Sequence, residues 1–214
     1  MPTGNFGNIF AAYAARQMGL PVESLVIGSN ANDILTRFFE ADDMSMRPVE
    51  PTWSPSMDIQ VSSNFERLLF DLYDRDGAAV ARAMQEFRET GKLSVGANRH
   101  GAATQIFRAA RFDDDATFAG IRAWRARSGY LLDPHSAVGV LAAEACPAPG
   151  AAMVVAATAH PAKFADAIGK ATGAPPDIPP RLAAVFEKEE RYTVMPNDLS
   201  QVQAHVRAMA EGRS

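Results

Sequence analysis

Apolar residues along this chain fall into two patterns, stripes repeating every three to four residues and short unbroken runs, and their alternation indicates the fold class. Ile9 to Met18 reads as a helix of small residues. Gly19 and Pro21 close it, a glycine suited to the turn after a helix and a proline that cannot continue one. Ser24-Leu25-Val26-Ile27 predicts a short buried strand. Asn30 to Asp33 then opens a helix on which Ile34, Leu35, Phe38 and Phe39 share one face. Residues 47–58 are broken by Pro48, Pro51 and Pro55, and Ile59-Gln60-Val61 predicts a brief strand. Ser63, with Glu66 three residues later, has the spacing of a capping box. It heads a helix striped with Phe65, Leu68, Leu69 and Leu72. Two more helices are expected near 78–89 and 115–127, the second behind Asp113, Asp114 and Asp115, whose charges suit the positive end of a helix dipole.

Asp133 as N-cap and Pro134 in the first turn predict a helix to about Glu144. Ala152 to Ala157 is the clearest strand pattern in the chain and ends at Thr158-Ala159-His160-Pro161. A helix from about Ala162 to Ala171 and a proline-rich stretch, Pro175 to Pro180, follow. The tail predicts a short helix, a strand at Tyr192-Thr193-Val194-Met195 and a last helix after Asp198. Strands alternating with helices indicate an α/β architecture, a mainly parallel sheet flanked by helices.

Composition changes this picture little. At 47% hydrophobic and 21% charged, the chain is that of a globular protein. Its net charge of -4, with basic and acidic residues interspersed, argues against nucleic acid or a membrane surface as partner. No apolar run is long enough to span a bilayer, and the start has neither the basic nor the apolar region of a signal peptide. Cys146 is the only cysteine, so a reducing, cytoplasmic compartment is the natural reading. The four histidines stand far apart and no metal site is expected.

Chemistry could sit in two places. Gly4-Asn5-Phe6-Gly7-Asn8 lies at the mouth of a helix, where outward N–H groups and the dipole favour an anion and glycines let the backbone come close to it. The same spacing is also plain turn geometry, and it is neither a nucleotide P-loop nor a dinucleotide fingerprint. Thr158 ends the best strand pattern, and ligands in open α/β sheets gather at the carboxyl ends of strands. A threonine capping a turn would look alike.

These residues carry a resemblance. Pro2-Thr3-Gly4-Asn5-Phe6-Gly7-Asn8 resembles the phosphate-binding loop of threonine synthases. The likeness continues through Ser29 to Asp33, Ser54 to Arg67, Asp133 to Gly139 and Thr158 to Phe164, in the family's order and over most of the chain. The resemblance implies a partial tryptophan synthase β-like fold, with pyridoxal 5'-phosphate between two α/β domains. It implies conversion of O-phospho-L-homoserine and water to L-threonine and phosphate. On this reading Gly4, Asn5, Phe6, Gly7 and Asn8 cradle the cofactor phosphate, and Thr158 offers its hydroxyl to the pyridine nitrogen. Asn30, Asn32, Ser54, Ser56, Asp58 and Asn64 either approach substrate or make turn and cap hydrogen bonds.

The family's Schiff-base lysine lies upstream of the loop, in a context that none of Lys92, Lys163, Lys170 and Lys188 shares. Lys163 is read as a helix-surface or structural residue. Residues 1–214 are therefore expected to be the C-terminal part of the enzyme, without a catalytic residue of their own, inactive alone and prone to aggregate through exposed sheet edges. Another elimination enzyme of this fold (a threonine dehydratase or cysteate synthase) and a non-catalytic anion-binding remnant stay open as alternatives.

Overall fold

The computed structural model describes residues 1–212. The chain divides after Asp177 into two units. The first runs α1 (Gly7–Gln17), β1 (Leu25–Ser29), α2 (Ile34–Ala41), α3 (Phe65–Leu72), α4 (Gly77–Thr90), α5 (Ala97–Thr104), β2 (Phe107–Arg111), α6 (Asp114–Ser128), α7 (Pro134–Ala145) and α8 (Ala165–Thr172). Single turns of 3₁₀ helix lie at Pro55–Met57 and Pro161–Phe164. The second unit begins at Ile178 and carries α9 (Pro180–Phe186) and α10 (Leu199–Ala210).

β1 is buried along its whole length, as a strand covered on both faces must be. It pairs in parallel with β2, from Leu25 opposite Phe107 to Ser29 opposite Arg111. On its other side Pro2 bridges Gly28, also in parallel, where Thr3 N donates to Gly28 O at 2.8 Å and Gly28 N to Met1 O at 2.9 Å. The residues before the Gly4–Asn8 loop thus run beside β1, and the loop leaves at the carboxyl end of the sheet. α7 lies close over this pair. A Cβ on Gly28 would come within 2.9 Å of Val138 O, and one on Gly139 within 2.9 Å of Pro2 Cδ, so both positions require glycine.

One hydrophobic core gathers α1 to α5 around the sheet. It is centred on Phe6, Phe38, Phe39, Phe65 and Phe107, whose rings meet mostly edge-on or tilted at centroid separations of 4.8 to 6.3 Å. A second holds Phe118, Ile121, Leu132, Ala137, Val140 and Ile168 between α6, α7 and α8. The α/β class and the parallel pairing agree with the sequence reading, as do most helices, Asp133 capping α7 through bonds from the His135 and Ser136 amides included.

Four expectations are overturned. Ile59–Val61 is no strand: Ile59 N turns back to Met57 O, and the buried Gln60 side chain reaches inward. Ala152–Ala157 and Tyr192–Met195 form no strand, because a strand needs a ladder partner, whatever its propensity. Among the described residues neither segment has one; Val154 and Val194 are more than four-fifths exposed. The capping box does not form: α3 starts at Phe65, and the Ser63 hydroxyl is engaged elsewhere. Pattern also misses α5 and β2. Phe107-Arg108-Ala109-Ala110-Arg111 has no strand pattern, and its pairing with β1 makes it one.

Candidate functional site

Between Thr3 and α1 the backbone must turn sharply, and it does so at Phe6 with φ of +63°, in the left-handed region that costs a residue with a bulky side chain. The compensation is visible. The Phe6 side chain is 1% exposed, edge-on to Phe65 at 5.1 Å and tilted against Phe107 at 5.7 Å. Anchoring the ring in the core leaves the loop no other course. α1 supplies 11 residues of aligned peptide dipoles behind it. The N–H groups of Gly4, Asn5, Phe6, Gly7 and Asn8 have no acceptor among the described residues. Five free donors at the positive end of a helix suit a phosphate.

The carbonyls of the loop are held from behind by the segment preceding α3. Gly4 O accepts from Ser62 Oγ at 2.8 Å, and Asn5 O accepts from Asn64 Nδ2 at 3.0 Å. Asn5 Oδ1 accepts from Ser63 N at 2.9 Å and Ser63 Oγ at 2.6 Å. Ser63 therefore braces the loop rather than capping α3. Taking up the carbonyls this way leaves the amides turned to the open side.

A concavity of about 320 Å³ collects the loop, Pro2 to Asn8, with Ser56, Met57, Asn64, His135, Thr158, Ala159 and Lys163. That volume is at the small end for a ligand site. All six residues expected at the site, Gly4, Asn5, Phe6, Gly7, Asn8 and Thr158, thus face one space across 150 residues of sequence. Thr158 is exposed, and its hydroxyl has no partner among the described residues. Ser56 and Asn64 join them. Asn30, Asn32, Ser54 and Asp58 do not: they bond one another, Asp58 Oδ1 accepting from Asn30 Nδ2 at 2.7 Å and from Asn32 Nδ2 at 3.1 Å. Those four are an internal network that shapes the irregular segment after Pro48.

Two titratable residues also line the concavity, neither of them among the residues expected at the site. Lys163 is a surface residue, as expected, yet it also stands at this rim, with Nζ 5.6 Å from the Phe164 ring centre. His135 is 3% exposed. Its Nε2 accepts from Ser56 N at 3.2 Å, so the ring proton is on Nδ1, which donates to Asp133 Oδ1 at 2.9 Å. Burial pushes the Asp133 carboxyl up, but hydrogen bonds from His135 and Ser136 outweigh it and hold the carboxyl below its ordinary range. Its position two residues after the capping aspartate was the available signal for His135. Among the described residues no group of side chains could hold a metal ion, and no helix is long and apolar enough to cross a membrane.

Known proteins match this chain along nearly its whole length. Residues 136–206 match the family described as threonine synthase, C-terminal. A threonine synthase of Pseudomonas aeruginosa is 50% identical over 208 residues, covering 96% of this chain and 44% of that protein. Among solved structures, pyridoxal-phosphate-bound threonine synthase from Brucella melitensis superposes with a TM-score of 0.90 at 48% identity, covering 96% of this chain and 44% of that one. Yeast threonine synthase does so with a TM-score of 0.84 at 33% identity, covering 98% and 47%. The chain spans less than half the length of each of these proteins. The resemblance read from the motifs is borne out.

Proposed function

We infer that this chain, the counterpart in sequence and fold of the C-terminal part of threonine synthases, forms one wall of a pyridoxal 5'-phosphate site. The complete polypeptide on this reading converts O-phospho-L-homoserine and water to L-threonine and phosphate, in the cytoplasm. Residues 1–214 all belong to the C-terminal part of that enzyme, and the lysine that anchors the cofactor comes from sequence outside them. The observation that carries the reading is the convergence of five acceptor-free loop amides and the Thr158 hydroxyl on one concavity.

When bound, the cofactor would supply an electron sink for the electron pair left on carbon as a proton leaves next to the substrate's amino group. The chain's own residues bind and orient it. The amides of Gly4 to Asn8, backed by the α1 dipole, hold the phosphate. Thr158 meets the ring nitrogen with a neutral hydroxyl, which does not keep that nitrogen protonated as a carboxylate would. This suits elimination and replacement over transamination. Lys163 adds a positive charge at the rim.

The test pairs this chain with the separately expressed N-terminal portion of the Pseudomonas relative, the part it does not match. Phosphate release from O-phosphohomoserine is expected only from the pair, with pyridoxal phosphate present. Borohydride reduction should then leave the cofactor on a lysine of the other portion. An adduct on Lys163, or turnover by this chain alone, would overturn the division of labour. Failure of the chain to bind pyridoxal phosphate in the pair would overturn the reading itself.

A further inference from the structure

The Asp133-Pro134-His135-Ser136 segment has a role beyond starting a helix. Asp133 is fully buried and saturated: it accepts from the His135 and Ser136 amides, the Ser136 hydroxyl and His135 Nδ1. That holds Nδ1 of the imidazole as the donor and directs Nε2 away from Asp133, where the Ser56 amide makes it an acceptor. Phe164 packs against the ring with centres 4.6 Å apart, closing off other orientations. Nε2 takes the Ser56 amide, in the middle of the Pro55–Met57 turn.

That turn touches the anion loop. A Cβ added to Gly4 would lie 2.9 Å from Met57 Cα and 3.0 Å from Ser56 O, so the turn's backbone rests directly on the loop's first glycine. Contacts therefore run without a break from the α7 N-terminus through His135 and Ser56 to Gly4. The loop is braced twice, by Ser62–Asn64 through its carbonyls and by this turn against Gly4.

We propose that His135 is a positioning residue for the anion loop: by accepting the Ser56 amide it seats the Pro55–Met57 turn against Gly4 and so sets the aim of the loop amides. The proposal rests on the reading of that loop as the cofactor's phosphate site. A purely structural histidine would tolerate any substitution that keeps α7 capped. A positioning one needs an acceptor where Nε2 stands.

Three variants separate these cases. His135→Gln can place an amide oxygen near the Nε2 position. His135→Asn reaches Asp133 and leaves Ser56 without an acceptor. His135→Phe keeps the ring against Phe164 and removes both polar ends. In the paired assembly, titration with pyridoxal phosphate should give near wild-type affinity for His135→Gln. His135→Asn should weaken it on the order of tenfold, the loss expected for about one hydrogen bond of positioning. Hydrogen exchange at the Ser56 and Met57 amides should rise in His135→Asn and not in His135→Gln. His135→Phe should follow His135→Asn, and serves in its place if the asparagine variant does not fold. Wild-type affinity in His135→Asn and His135→Phe, or equal losses in Gln and Asn variants that both melt like wild type, would overturn the positioning role and leave the phosphate-site reading intact. A wild-type assembly that binds no pyridoxal phosphate would overturn both.

Discussion

Phe6 is where the core and the anion loop constrain each other most directly, and substituting it gives an ordering that simple burial does not. The residue has φ of +63° and is 1% exposed. Replacing it with alanine removes a ring in contact with Phe39, Phe65 and Phe107, which costs about 3–5 kcal/mol for a phenylalanine in a packed core. Alanine keeps a Cβ, so the left-handed strain of about 1–2 kcal/mol stays. Glycine loses the same ring but releases that strain, at a cost of about 0.4–1 kcal/mol in unfolded-chain entropy. Phe6 is also the N-cap of α1, a position where glycine is preferred to alanine. Phe6→Gly is therefore expected to be the more stable of the two by about 0.5–1 kcal/mol, the reverse of their order in a helix interior. Urea denaturation followed by circular dichroism measures both midpoints, with equal slopes as the condition for comparing them. If neither variant keeps a folded baseline, the comparison moves to the paired assembly, where the partner adds stability. Phe6→Ala equal to or more stable than Phe6→Gly, or either variant within about 1 kcal/mol of wild type, would refute the account of the loop as strained and core-anchored.

Thr158→Val should leave the melting curve of the chain unchanged, because the side chain is exposed, while lowering turnover by the paired assembly by about tenfold for one lost hydrogen bond; unchanged turnover would remove Thr158 from the site. Ser63→Ala should cost about 1 kcal/mol through the lost bond to Asn5, and Glu66→Ala no more than about 0.5 kcal/mol; the opposite order in denaturation would restore the capping box. The depressed Asp133 carboxyl contributes stability that is complete above its unfolded value of about 4 and is lost as pH falls through the lower folded value. The stability gap between wild type and Asp133→Asn should accordingly shrink as pH falls below about 4; a gap that widens over that range would contradict this. The isolated chain should self-associate through the unpaired segment around Val154, and Val154→Lys should suppress this in light scattering; a monodisperse wild-type monomer would refute it.

Local chemistry alone determined much of this protein. Helices such as α4, α6 and α7 are written in their caps, because an aspartate before a helical run satisfies orphan amides without help from the rest of the chain. The order of the motifs carried the family likeness, and with it Gly4 to Asn8 and Thr158 as candidates. Tertiary structure decided what depends on a partner. Phe107–Arg111 became a strand because β1 offered a ladder, and Ala152–Ala157 did not because none of the described residues pairs with it. Ser63 had two uses, capping α3 or bracing Asn5 from 58 residues away, and only the approach of the loop chose between them. His135 carried no periodic signal, and its place between Asp133 and Ser56 arises from α7 packing over Gly28 of the sheet. Caps and stripes act within a few residues, whereas ladders, braces and pockets are made by residues that meet only once the chain has closed on itself.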